Sequence, residues 1–352
     1  NDFWSICNQI NLCTVAMKFM DNRLLQNQLP TIACFLFFVF GLPVTASAQD
    51  LSTPPTITNT SQTNTKLPFE LLICDYVEFK LARVNTRGEV VWEHKPPGKV
   101  WDFVLLGNNR LVYPIITDKQ EVRCIDFDAH VQWSWAYRSE YREIVNITRH
   151  RSQLIVSGQQ PPQAIFLSFD GKIQKRLPIP AKYKHHHGQL GNVYAVAENN
   201  YLAQLWGEGT ALEIDKNGKE VWRFQIPPYG NRPFPVGTVQ DLLRLDNGNT
   251  LIACGTQARL LEVTPAGTIV WEFDGSKHPE LNFTNACALQ KLNDGSILVT
   301  NFLRGNSGRG AHAFRLSSQR KITWTFTDHK HFTATSQVWA IQPSQPSGEG
   351  LK

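Results

Sequence analysis

One phrase recurs six times along the chain: an apolar strand, a tight turn, then a second strand that usually carries a tryptophan. It reads RVNTRGEVVWEH from Arg83, CIDFDAHVQWSW from Cys124, FLSFDGKIQKRL from Phe166, LEIDKNGKEVWRF from Leu212, LEVTPAGTIVWEF from Leu261 and FRLSSQRKITWTF from Phe314. The turn positions Gly88, Ala129, Gly171, Gly218, Gly267 and Arg320 lie 41, 42, 47, 49 and 53 residues apart. That is the spacing of blades in a β-propeller.

The clearest repeat resolves into four strands. TVQDLLRL from Thr238, TLIACG, RLLEVT from Arg259 and TIVWEF from Thr268 are separated by DNGN, a short connection and PAG. Apolar runs of five or six residues bounded by Asn-Gly and Pro-Gly turns are hairpin signals, and no helical periodicity of useful length occurs. The two ends are incomplete in complementary ways. ELLICDY, KLARVN and EVVWEH supply strands B, C and D of one blade near the N-terminus, and SQVWAIQ from Ser336 supplies a lone strand A. The expected fold is therefore an all-β, six-bladed propeller of four-stranded antiparallel blades, closed by that C-terminal strand, which removes two exposed sheet edges. Trp92, Trp133, Trp222, Trp271 and Trp324 repeat at one blade position, so they are expected to fill the space between blades rather than to stack on a ligand.

The only methionines are Met17 and Met20, which makes Met17 the expected start and residues 1–16 an upstream non-native segment. Lys18 and Arg23, the apolar run Thr31–Val44 and the small residues Ala46, Ser47 and Ala48 form the three parts of a secretory signal peptide over residues 17–48. The run is shorter than the roughly 20 residues of a spanning helix, so no membrane span is expected after processing. Residues 49–68, rich in Ser, Thr, Asn and Pro, read as a disordered linker, residues 69–342 as the propeller and 343–352 as a disordered tail. A secreted or periplasmic location follows. The net charge of +5 is mild for this length and is not gathered into runs, which argues against a nucleic-acid partner. Cys74, Cys124, Cys254 and Cys287 remain after processing. They form no CxxC pair and sit in apolar strand patterns, so buried free thiols are expected, with three disulfide pairings as the alternative.

Strand order sorts the loops by face. The D-to-A and B-to-C loops ring one mouth of the channel, and they hold His94, His185, His186, His187, His278, His312, His329 and His331 of the ten histidines. Arg138, Arg142, Lys182, Lys184, Arg232, Lys277, Arg304, Arg309 and Lys330 add fixed charge. A ring of donors of one sign attracts phosphate, sulfate or carboxylate. His186, His187, Arg232, Arg304, Arg309, His312 and Trp206 are the candidate ligand-binding residues, with Tyr229, Phe234, Phe283 and Phe332 as further contact surface. Three adjacent histidines on an extended loop point different ways; one of them with His278 and His329 or His331 from separate loops would make a better nitrogen site, but no metal is assigned. Asp328 is expected to cap a strand end or pair with a neighbouring blade rather than to orient His329. The glycines of RGNSGRG at Arg304 lack a strand-to-helix context, which excludes a dinucleotide or P-loop reading.

Repeats such as DLLRLDNGNTLIACGTQARLLEVTPAGTIVWEF resemble the blades of quinoprotein-dehydrogenase-like propellers, most closely the six-bladed arylsulfotransferase-like group, from Phe69 to about Gln342. The resemblance rests on blade-building residues and so speaks to fold before activity. It implies an exported enzyme whose mouth histidine transiently accepts a sulfuryl group. Carried over, it points to His278, His329 or His331 as the catalytic acceptor and to Arg232 or Arg304 as an anion clamp. Pyrroloquinoline quinone enzymes of this repeat type usually have eight blades and an acidic calcium site, so that cofactor is not expected and none is assigned. The reading favoured is a binding module for an anionic small molecule or polysaccharide, or a partner protein. The alternative is an arylsulfotransferase-like or other transferase or lyase working through a mouth histidine on a sulfated, phosphorylated or uronate substrate.

Overall fold

The computed structural model describes residues 66–342 apart from 108, 117–119, 139, 198, 306 and 307. The expected start, signal peptide and tail, and most of the linker, lie outside the described residues. The chain is already attached at Leu67, whose amide donates to the Thr86 carbonyl at 2.7 Å.

Six four-stranded antiparallel sheets follow one another around a ring. Blade 1 is closed by the last strand, Thr335–Ile341, which pairs antiparallel with Glu70–Asp75 and sets Leu72 opposite Trp339. Blades 2 to 6 each take four consecutive strands, beginning at Val104, Glu143, Val193, Asp241 and Ala286. The innermost and middle strands are almost wholly buried, whereas the outermost, such as Val131–Ala136, alternate between exposed and half-buried positions. Adjacent sheets bury apolar clusters between them. One joins Val112 and Cys124 of blade 2 to Ile147, Leu154 and Ile165 of blade 3.

All six repeated turn positions adopt the left-handed backbone: Gly88, Ala129, Gly171, Gly218, Gly267 and Arg320 have φ of 78°, 65°, 81°, 84°, 80° and 63°. Each amide bonds the carbonyl three residues back, as Gly88 does to Asn85 at 2.9 Å, and the hairpin register shifts just before the turn. This is a three-residue loop whose last position favours glycine. Ala129 bears the cost of that conformation without compensation. We expect Ala129→Gly to raise stability by about 0.5–1 kcal/mol, since the left-handed penalty for alanine exceeds the flexibility glycine adds to the unfolded chain. Arg320 differs. Its guanidinium pairs with Glu262 of blade 5 and lies 5.1 Å from the Trp271 ring, so Arg320→Gly is expected to lower stability in a urea titration that compares both variants with wild type.

Tryptophans at the blade position reach across to the next blade, as the repeat predicts. Trp92 donates to the Phe127 carbonyl at 2.6 Å, Trp133 to that of Phe169 at 2.9 Å, and Trp324 packs edge-on against Phe69 at 5.3 Å.

A second set of ties, unforeseen from the sequence, links every innermost strand to the next. Gln337 Oε1 accepts from the Phe103 amide at 3.0 Å, and Asp102 Oδ2 from that of Ile147 at 3.3 Å. Thr148 donates to the Val193 carbonyl at 2.5 Å, and the Tyr194 hydroxyl donates to Asp241 Oδ1. Asp241 Oδ2 accepts from the Leu289 amide at 2.7 Å, and Gln290 bonds both backbone groups of Ala340, at 2.7 and 2.9 Å. The ring is thus pinned at each of its six blade boundaries by at least one buried side chain. Cys74, Cys124, Cys254 and Cys287 are all buried, as the strand pattern implied. No helix among the described residues is long and apolar enough to cross a membrane.

Candidate functional site

The D-to-A loop between blades 2 and 3 turns on two tyrosines. Tyr137 is fully buried, with its hydroxyl between the carbonyls of Ile115 (3.0 Å) and Ile144 (3.2 Å). Tyr141, almost as buried, donates to Gln163 Oε1 at 2.9 Å and accepts from Arg176 Nε at 3.1 Å. The two rings floor a cleft of about 350 Å³ whose remaining lining is Ile116, Gln120, Arg138, Arg142, Glu143 and His186. Arg138 and Arg142 are exposed and form no ion pair among the described residues. Glu143, the one carboxylate of the lining, is already engaged: its Oε2 takes His187 Nδ1 at 2.9 Å and Gln159 Nε2 at 3.5 Å.

The histidine loop from blade 3 to blade 4 is held by buried amides. Gln159 Oε1 accepts from the Gly188 and Gln189 amides at 2.8 and 2.9 Å, and Gln189 Nε2 donates to the Tyr183 carbonyl at 2.9 Å. Gly188 is required here: its φ is +101° and a Cβ would stand 2.3 Å from Trp206 Cε3. Trp206 in turn meets the His187 ring edge-on at 5.6 Å. His186 stacks on His185 at 4.4 Å. The hydrogen bond to Glu143 raises the His187 pKa above the usual histidine value, while burial lowers that of His186. The carboxylate therefore favours an imidazolium at His187, and the cleft keeps an excess of positive charge.

The other candidate histidines belong to loops of blades 5, 6 and 1. Asn301, fully buried, joins two of these loops: Nδ2 donates to the carbonyls of Ala311 (2.9 Å) and Asn282 (3.1 Å), and Oδ1 accepts from the Thr284 and Asn285 amides (3.1 and 3.3 Å). His278 stacks flat on Phe273 at 4.6 Å and bonds Glu280 at 3.1 Å. His312 is 0% exposed, and burial pushes its pKa down to about 4. It lies 4.6 Å from the His329 ring, whose Nε2 donates to the Gly310 carbonyl at 2.9 Å. His331 Nδ1 meets Asp328 Oδ2 at 2.8 Å. Asp328 thus serves the residue three positions on, not a neighbouring blade. Arg304 and Arg309 are exposed, and Arg232 is exposed with a 3.4 Å bond to the Thr256 carbonyl.

The structure brings His186, His187 and Trp206 together with Arg138 and Arg142, and groups His312, His329 and His331 elsewhere on the ring. Two aromatic residues read as contact surface are corrected. Phe283 and Phe332 are 5% and 2% exposed, because Phe283 packs into Phe273 and Phe314, and Phe332 against Phe326. Phe234 remains 41% exposed, and Tyr229 lies under the Arg259 guanidinium at 4.3 Å. The tyrosine floor and Glu143 escaped the sequence reading. The stretch RSEYREIV from Arg138 contains Tyr141 and Glu143, with Tyr137 just before it, but the signal it offers to a sequence reading is its cations.

No protein-family model matches the chain, and no curated protein does. Solved structures match well. A protein of unknown function from Bacteroides caccae aligns with a TM-score of 0.66 at 18% identity, over 77% of this chain and 98% of its own. A catalytically inactive variant of virginiamycin B lyase from Staphylococcus aureus, with quinupristin, gives 0.52 at 13% identity over 76% of this chain and 86% of its own. A streptogramin B lyase gives 0.53 at 12%, over 74% and 80%. The likeness is one of fold. Function has to be argued from this chain's own residues.

Proposed function

We propose that the chain is an exported binding protein that captures an anionic group of a polysaccharide in the cleft beside blades 2, 3 and 4. The observation that carries this reading is a pair of guanidinium groups, Arg138 and Arg142, on a cleft whose only carboxylate is committed to His187. A carboxylate or sulfate entering there meets two planar donors and a half-buried imidazole. The N-terminal signal pattern supports the location; sequencing the N-terminus of secreted protein tests it, with Gln49 the expected first residue.

Titration calorimetry with an oligouronate and its neutral counterpart tests the binding reading. Wild-type protein is expected to bind the charged oligomer, more weakly as salt rises. Replacing both Arg138 and Arg142 with Ala removes two charge-assisted contacts and is expected to weaken binding by roughly 100-fold, with folding unchanged because both side chains are exposed. Equal affinity for the neutral oligomer, or no loss in the double variant, would overturn the reading.

One observation favours a second reading, a transferase or lyase of the arylsulfotransferase-like kind. A carboxylate at Nδ1, as Asp328 provides for His331, orients an imidazole for proton or group transfer at Nε2. Turnover of an aryl sulfate that disappears in His331→Ala would establish it.

A further inference from the structure

Buried polar atoms in folded proteins nearly always have partners, and those without one point to a missing water or ion. His312 is fully enclosed by its own loop, Phe326 and Phe332, yet neither ring nitrogen makes a hydrogen bond of acceptable geometry. The adjacent His329 is oriented more tightly. Because a carbonyl can only accept, the 2.9 Å contact with Gly310 places the proton of a neutral His329 on Nε2 and the lone pair on Nδ1. That Nδ1 is buried and has no partner.

Two imidazoles side by side, with three of their four nitrogens buried and unpartnered and the fourth held by a backbone carbonyl, make an arrangement that a metal ion would satisfy. The outer hydrogen bond sets the tautomer and the ring orientation, and the free lone pair becomes the ligand. Spacing agrees. Metal–nitrogen bonds of about 2.0–2.1 Å at a tetrahedral angle hold imidazole centroids about 5 Å apart, and the observed separation is 4.6 Å at 55° between planes.

We propose that His312 and His329 bind one late first-row metal ion, zinc being the probe of choice, at the junction of blades 6 and 1. Two imidazole donors suit zinc, copper or nickel rather than calcium or magnesium, and water completes the coordination. The ion ties the B-to-C loop of blade 6 to the D-to-A loop that leads into the closing strand. This site is independent of the arginine cleft, and failure of either proposal leaves the other standing.

The full chain is dialysed against zinc and its bound metal measured, with thermal unfolding recorded in parallel. Wild-type protein is expected to hold one zinc per chain and to unfold at a higher temperature when loaded. His312→Phe and His329→Phe are each expected to weaken zinc binding at least tenfold and to abolish the thermal shift. Metal-free His312→Phe is expected to unfold no earlier than metal-free wild type, since it removes the unsatisfied nitrogens, and this separates a lost ligand from a misfolded variant. His186→Ala and His130→Ala control for the histidine loop and for the exposed Asp126, Asp128 and His130 group. Absence of saturable binding, binding retained in both phenylalanine variants, or binding lost in a control variant would overturn the proposal.

Discussion

Asp241→Ala is expected to cost about 3–5 kcal/mol of stability, an appreciable part of the 5–15 kcal/mol that holds a typical domain together. The side chain is fully buried at the start of the innermost strand of blade 5. It collects the Leu242 amide at 2.8 Å, the Leu289 amide of blade 6 at 2.7 Å, Gln204 Nε2 at 3.3 Å and the Tyr194 hydroxyl of blade 4. Alanine leaves donors from three blades facing a small cavity, and each buried donor without an acceptor costs about 1–3 kcal/mol. Asp241→Asn keeps the volume but offers one acceptor oxygen where there were two, so about half the loss is expected. Urea titration gives the order: wild type most stable, then Asn, then Ala. A loss below about 1 kcal/mol in the alanine variant would mean that water replaces the carboxylate at no cost and that blade junctions rest on apolar packing alone.

Asn301→Ala is the second large effect, expected at about 2–4 kcal/mol. Its physical character differs. Where Asp241 ties blades, the Asn301 amide ties loops, with donor and acceptor sides spent on the 281–285 and 302–312 segments. Loss of the amide is therefore expected to free these segments before the sheets unfold. Hydrogen exchange is the discriminating measurement. The Thr284, Asn285 and Ala311 amides are expected to lose protection while those of the Ile297–Asn301 strand hold theirs. Uniform loss across blade 6 would instead show that loops and blade unfold as one unit.

Blade count, strand order and closure were legible because each rests on signals that repeat: turn residues at fixed offsets, apolar runs between them, and a tryptophan at one position. The innermost pins were not. Asp102, Asp241 and Gln337 are polar residues at or near strand starts, and what each bonds lies in the next blade, about 45 residues along for Asp102 and 48 for Asp241. Local pattern carries no trace of such a partner. The site was legible by face and not by arrangement. Strand order assigns His186, His278 and His312 alike to the mouth loops, but whether an imidazole ends half-buried beside a cleft, stacked on Phe273 or sealed behind Phe326 and Phe332 depends on packing between distant loops. Glu143 shows the opposite failure. It was visible in a cationic stretch, and only its bond to His187 reveals that it leaves the two arginines unneutralised.

The pairing of Thr335–Ile341 with Glu70–Asp75 joins segments separated by almost the entire described chain. On a ribosome the first blade waits with an open edge until the last strand emerges, because that strand holds the place beside it. Long-range pairing of this kind is slow and leaves unsated strands prone to aggregation meanwhile. The circle therefore makes synthesis and folding sequential rather than simultaneous, and the interval before closure is when such a polypeptide most needs a chaperone.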